Sequence, residues 1–174
     1  MKLGNLDFEP IETGFELVSG SVKEAASGIS GILVSCIDPS LADTAAFCEH
    51  YGIGMDVSAN CVIVEAKRAD KVWYAACIVL ATTRADINGI VRKYLEARKV
   101  SFAPMEKAVE MTGMEYGGIT PIGLPEGIPV MVDMRVTEAE YVVIGSGIRG
   151  SKLLVKPDVL VGLPGAVVKD IVKT

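Results

Sequence analysis

Histidine occurs once in the 174 residues, as His50, and cysteine four times, as Cys36, Cys48, Cys61 and Cys77, with no pair at CxxC spacing. A nucleophilic triad built on imidazole would have to pass through His50, and the ligand spacing of a structural zinc site is missing. No window approaches the ~18 uninterrupted apolar residues of a membrane span. The first residues, MKLGNLDFEPIETGFEL, hold one lysine followed by acidic residues and no apolar segment, so we expect no signal peptide. Basic residues are outnumbered, 17 to 22, and the net charge of -5 does not suggest a surface built for non-specific nucleic-acid binding, although the total alone does not exclude a local basic patch. Aromatic residues are scarce at 6%, which leaves Val, Ile, Leu, Ala and Met to fill the core. A reducing cytoplasm follows as the expected compartment, with the cysteines as buried thiols that act as small hydrophobes.

Half of the residues are hydrophobic and 22% charged, a balance that gives a packed core and not disorder. We expect one domain over residues 1–174, with no internal repeat. A short helix is predicted near Val22–Ala26, cut by Gly28 and Gly31, and a strand in GILVSCID. DPSLADTAAFCEHYGIG predicts a helix from about Leu41 to Tyr51, with Asp38 or Ser40 as cap and Gly52 as stop. NCVIVEA (60–66) and VWYAACIVLA (72–81) are apolar runs joined by the charged KRADK. They predict an antiparallel hairpin with a longish loop, buried on both faces.

ADINGIVRKYLEARK places Ile87, Ile90, Val91, Tyr94 and Leu95 on one helical face, with Asp86 as cap. APMEKAVEMTG predicts another helix, with Pro104 in its first turn and Gly113 as its stop. IPVMVDM, EYVVIGSG and SKLLVKP read as three strands, and GAVVKDIVK as a closing helix. This order lacks βαβ alternation, so the class is α/β with a mixed sheet and packed helices, not a doubly wound Rossmann sheet.

Four features bear on chemistry. The stretch GGITPIGLPEGIP offers adjacent glycines whose peptide N–H groups can bind an anion or oxyanion, although composition alone favours a turn-rich connector. IGSGIRG (144–150) supplies Gly145, Gly147 and Gly150 after a strand, but no amphipathic helix follows, which argues against a dinucleotide site. Arg149 after that turn either grips a phosphate or carboxylate or is a solvated turn residue. Asp133 is a carboxylate inside an apolar strand. It either points to solvent on an edge or is buried with a partner, for which Arg149 is a candidate. His50, near a helix end, reads as a favourable partner of the helix C-terminus more than as a catalyst.

From about Leu41 to about Leu163, the chain resembles the YbaK/ProX-type aminoacyl-tRNA deacylases, the trans-editing family related to the insertion domain of bacterial prolyl-tRNA synthetases. The likeness rests on CVIVEA, the return strand AACIVLATT, ADINGIVRKYLEARKVSFAPMEKAVEMTG, YGGITPIG, IPVMVD and YVVIGSGIRG, in that order. The first 35 residues lie largely outside it as an N-terminal extension. The resemblance implies a mixed, barrel-like β-sheet flanked by helices and hydrolysis of the ester joining a wrong amino acid to the 3′ end of a tRNA, with no metal, no cofactor and no side-chain nucleophile. Gly117 and Gly118 would then give backbone contacts around the aminoacyl carbonyl. Thr120 in the same loop, Asp133, Gly145, Ser146, Gly147 and Arg149 would bind substrate near the terminal adenosine. The implied partners are the tRNA aminoacyl end and an aminoacyl-tRNA synthetase, with neither DNA nor membrane among them.

One position departs from the family. A lysine stands just before the apolar run of the first hairpin strand in the family, and here the equivalent is Asn60. Asparagine donates and accepts hydrogen bonds but brings no charge. The departure implies a slower enzyme, an altered specificity, or a homologue that binds an aminoacyl-tRNA end, an amino acid or a partner protein without hydrolysis.

Overall fold

A computed structural model describes residues 1–173. Its centre is the predicted hairpin. Strands β5 (Ala59–Arg68) and β6 (Lys71–Leu80) pair antiparallel along their whole length, from Ala59 opposite Leu80 to Arg68 opposite Lys71. The pairing runs through the charged residues, so the connection shrinks to Ala69 and Asp70, with Ala69 at φ 55°. Backbone hydrogen bonding does not depend on side-chain polarity, which is why the charged tip continues the ladder instead of forming the longish loop expected.

On one side of this hairpin β7 (Lys99–Phe102) adds antiparallel to β5. On the other, β8 (Val130–Asp133) adds parallel to β6, and β11 (Ala166–Lys169) adds parallel to β8. A second sheet is antiparallel, in the order β3 (Glu9–Pro10), β4 (Leu33–Cys36), β10 (Ser151–Val155), β9 (Val142–Gly145). A short hairpin of β1 (Lys2–Leu3) and β2 (Leu6–Asp7) precedes it.

The two larger sheets face one core. Val34, Leu153 and Val155 from the second sheet meet Ile63, Ile78 and Val132 from the first. A parallel bridge between Ser58 and Val143 links their edges. The result is the mixed, barrel-like arrangement expected, with helices packed outside it. Every residue of Ala75–Leu80 is buried, because the core covers one face of β6 and the segment carrying Ile87, Val91 and Leu95 covers the other. That explains a continuous apolar run where one solvated face would give alternation.

Helix α1 (Gly20–Ala26) is capped by Ser19, and Phe8, Ile11 and Val22 are fully buried, so the first 35 residues complete the core. Helix α2 (Thr44–Tyr51) begins later than expected. Asp38 caps a separate 3-10 turn, Pro39–Leu41, through the Ser40 N–H at 2.9 Å, and α2 itself starts behind Asp43, whose side chain makes no cap bond. Gly52 ends α2 at φ 66°, as anticipated.

Asp86 caps as predicted, accepting from Gly89 and Ile90, but the segment opens as a π-helical turn, Ile87–Val91, before the short helix α3 (Arg92–Tyr94). Helix α4 (Met105–Thr112) ends at Gly113 with φ 69°. The predicted closing helix is instead strand β11. Its alternative, helical pairing of Val167 and Val168 with Ile171, loses to the parallel ladder that β8 offers. A helix does form earlier, as α5 (Pro157–Val161), with proline in its first turn. No helix among the described residues is long and apolar enough to cross a membrane.

Strand alternation fixes one further side chain. On β10, Leu153 and Val155 face the common core, so Lys152 and Leu154 face the opposite way, toward α2, where Leu154 joins Phe8 and Phe47 in a separate cluster.

Candidate functional site

A polar cavity of about 360 Å3 lies where α2, β5, β9, β10 and the loop after α4 converge. Its walls carry Asp43 and Thr44 from the start of α2, Asn60 and Cys61 from β5, Gly117 from the loop, Gly145 from β9 and Lys152 from β10, with Phe102 and Tyr116 also lining it. Asn60 occupies its place because the β5 ladder puts it opposite Val79. Its Oδ1 accepts from the Thr44 hydroxyl at 2.6 Å, which leaves its amide NH2 as a donor without an acceptor among the described residues.

The loop from Gly113 to Pro129 and the turn at Gly145–Gly150 are zipped together through main-chain bonds. Glu115 N–H donates to the Gly147 carbonyl at 2.9 Å, and Gly147 N–H donates to the Gly118 carbonyl at 2.7 Å. The Arg149 N–H donates to Glu115 Oε1 at 2.8 Å. This contact leaves no room for side chains: a Cβ on Gly118 would fall 2.6 Å from Ile148 backbone atoms, and one on Gly145 2.6 Å from the Gly118 carbonyl. Gly118 N–H is itself engaged, donating to the Glu115 carbonyl at 2.9 Å, whereas Gly117 N–H makes no such bond among the described residues. Of the two glycines expected to contact a carbonyl, only Gly117 lines the cavity and keeps its N–H free.

The other sequence-predicted positions separate. Gly145 is on the cavity wall. Ser146 and Gly147 lie in the turn behind it, where the Ser146 hydroxyl bonds to the Ser151 hydroxyl at 2.7 Å and Gly147 packs against Ser19. Arg149 ties loops together, donating from Nε to the Pro39 carbonyl at 3.2 Å and from an NH to the Tyr116 carbonyl at 3.2 Å. Thr120 is fully buried, does not line the cavity, and its hydroxyl has no partner among the described residues. Asp133 lies outside the cavity at the end of β8 and is fully buried. Its partner is Arg135, not Arg149: it accepts from the Arg135 guanidinium at 3.2 Å, from the Arg135 N–H at 3.2 Å and from the Ile171 N–H at 3.1 Å. His50 is exposed, packs edge-on against Tyr51, and is not among the cavity residues.

Three side chains that reasoning from sequence passed over are prominent here. Lys152 is buried, and its Nζ donates to the Ala42 carbonyl at 3.1 Å and sits 5.1 Å from the centre of the Phe47 ring. Burial pulls its ammonium below the ordinary lysine range, Arg149 adds to that, and Cys48 and Asp43 oppose it. Phe102 and Tyr116 are 66% and 56% exposed, unusual for aromatic rings in so aromatic-poor a chain. The sequence marks Lys152 only as a lysine between apolar strand residues, which leaves the face it takes open. Phe102 was hidden because KVSF was not read as a strand.

Reactive groups are few. Burial pushes the Cys61 thiol well above its usual value and the Cys77 thiol up to about 12, so neither is a thiolate near neutrality. Among the described residues no three His, Cys, Asp or Glu side chains are grouped as metal ligands. What the cavity does present is donors: the Asn60 amide, the Gly117 N–H and the Lys152 ammonium, with one carboxylate, Asp43.

A larger groove of about 1410 Å3 lies on the other side of the same loop, between Leu124–Pro129, Ile29 and Leu163. It is lined mainly by glycine, proline and aliphatic residues, with Ser30, Tyr141 and Lys156 as its side-chain donors. Convergent polar groups, not volume, mark a site that orients a reacting ester, and the smaller cavity has them.

Residues 38–163 match the family model of the aminoacyl-tRNA editing domain. Every cavity residue falls between 42 and 152, inside that span. Among solved structures, a candidate trans-editing enzyme for prolyl tRNA synthetase superposes with a TM-score of 0.77 at 19% identity, over 90% of this chain and 99% of that one. A hypothetical protein superposes with a TM-score of 0.76 at 25% identity, over 88% of this chain and 99% of that one.

Proposed function

Because the chain belongs to the aminoacyl-tRNA editing domain family, we propose that it acts in trans, in the cytoplasm, as a deacylase that hydrolyses mischarged aminoacyl-tRNA in the polar cavity. The observation that carries this reading is the pairing of the Gly117 N–H with the Asn60 amide in one cavity whose cysteine, Cys61, is held as the neutral thiol. Donors placed at an ester carbonyl stabilise the oxyanion that forms when water adds. In the reaction so read, a water oxygen bonds to the carbonyl carbon and the carbonyl oxygen takes the negative charge. The bond to the ribose oxygen then breaks, and that oxygen leaves with a proton from the water. The products are the free amino acid and the uncharged tRNA.

Two further features fit a tRNA end. The exposed rings of Phe102 and Tyr116 line the cavity and offer faces on which the terminal base can stack. The Asp43 carboxylate, not used as a helix cap, is available to the α-ammonium that every aminoacyl ester carries. Ser146, Gly147 and Arg149 hold the two loops together behind this site, whereas Asp133 and Thr120 lie outside it. Gly118 shapes the loop that presents Gly117.

The test is deacylation by the purified protein of a panel of mischarged tRNAs, carrying Ala, Cys, Ser and others. We expect turnover above buffer on at least one. Folded protein that is inactive on all of them contradicts the hydrolytic reading. The absence of charge at Asn60 favours the other reading, a homologue that holds the aminoacyl end without cleaving it. Binding of the same tRNAs without deacylation is its signature.

A further inference from the structure

Asn60 brings no charge to the cavity from β5, yet the cavity is not without a cation. Lys152 enters it from β10, the strand on the far side of Gly145, with which it is paired in register. Its burial is hard to explain as packing alone. An ammonium can donate three hydrogen bonds, and here Nζ donates one, to Ala42. No carboxylate comes within salt-bridge distance among the described residues. The charged and titratable groups that face it are Asp43 and Cys48 from α2 and Arg149 from the turn. Phe47 covers one side of the ammonium. A buried cation that keeps donors in hand beside an open polar cavity is matched by an oxygen-rich ligand, since burial without a partner is costly and a leucine or methionine would fill the same space.

We propose that Lys152 supplies, from β10, the positive charge that Asn60 does not bring from β5, and that its Nζ holds the carbonyl oxygen of the bound aminoacyl ester. The ester oxygen then lies among three donors on different walls: Gly117 N–H from the loop, the Asn60 amide from β5 and Lys152 Nζ from β10. This inference rests on the deacylase reading, but it can be separated from it.

The experiment compares wild type, Lys152→Met, Lys152→Gln and the double variant Lys152→Met/Asn60→Lys. Two quantities are measured: single-turnover deacylation of the most active mischarged tRNA, and binding of 3′-aminoacylamino-3′-deoxyadenosine, in which a stable amide replaces the ester. We expect Lys152→Met and Lys152→Gln to lose about 10²–10³-fold in rate and to bind the amide more weakly. The double variant is expected to recover most of the rate, because a cation returns from β5. A lysine that merely packed the core would not be rescued by a new one across the cavity. Wild-type rates and affinities in both single variants would overturn the proposal while leaving the deacylase reading standing. Should the wild type deacylate nothing, the hydrolytic reading falls alone if amide binding still depends on Lys152, and both fall if it does not.

Discussion

Two charged side chains are buried among the described residues, Asp133 and Lys152, and they are buried in different ways. Asp133, at the end of β8, is saturated. It receives the N–H of Arg135, the N–H of Ile171 and the Arg135 guanidinium, which in turn reaches Asp170 at 2.8 Å. Its carboxylate knots the start of a 3-10 turn (Met134–Glu138) to the segment after β11. Lys152, on β10, has one main-chain carbonyl, one aromatic face and an open cavity. Burial type therefore separates a charge that holds the fold from one held ready for a ligand: the first has every lone pair accounted for, and the second has donors left over.

The comparison is sharpest where stability is measured. Asp133→Ala should lower the unfolding free energy by on the order of 3 kcal/mol, because the buried Ile171 N–H is left without an acceptor. Urea unfolding checks this, and a loss below the error of extrapolation would break the contrast. Gly118→Ala is next, at about 1–3 kcal/mol, since its Cβ would overlap Ile148 main chain that cannot move away without opening the loop contact. Gly117→Ala meets only the flexible end of Arg149, although its φ of +92° also disfavours a side chain. Its rate constant should therefore suffer more than its stability, the reverse of Gly118→Ala.

At the cavity mouth, Phe102→Ala should raise KM about tenfold with little change in kcat, the expected result of losing one base-stacking surface. An unchanged KM would remove Phe102 from the binding path.

The smallest effect carries the opposite sign. Lys152→Met should leave stability unchanged or raise it by about 1 kcal/mol, because the desolvation of a buried ammonium disappears. The sign with pH follows from linkage. Burial lowers the Lys152 pKa, so the folded chain binds fewer protons than the unfolded one between its folded value and the ordinary lysine value. The penalty is complete below that window and fades as pH rises through it, so the advantage of Lys152→Met should shrink toward high pH. Parallel unfolding curves of the two proteins over alkaline pH measure this directly.

Much of the scaffold was legible in the sequence because local chemistry agreed with tertiary context. Asp86 had a cap's position, Gly52 and Gly113 had the left-handed stops, and the long apolar runs of β5 and β6 could only be a buried hairpin. Reading failed where the partner decided. Ala166–Lys169 is apolar enough for either element, and only the free edge of β8, far away in the chain, makes it a strand. The candidate site divided in the same manner. Gly117, Gly145 and Asn60 could be placed from motif order, and the structure brings them to one cavity. Lys152 could not, because its role depends on which face of β10 it takes and on where α2 begins. Asp133 was noticed as a carboxylate in an apolar strand, but its partner lay two residues on, in a turn that hydropathy does not reveal.

The claim on which the rest depends is that the small polar cavity, and not the larger apolar groove, receives the aminoacyl end. A crystal structure of the protein with 3′-aminoacylamino-3′-deoxyadenosine tests it most directly. The account predicts the carbonyl oxygen within hydrogen-bond reach of Lys152 Nζ and Gly117 N–H, with the adenine against Phe102 or Tyr116. The same ligand lodged between Leu124, Pro129 and Leu163, with Lys152 still bonded to Ala42 alone, would contradict it.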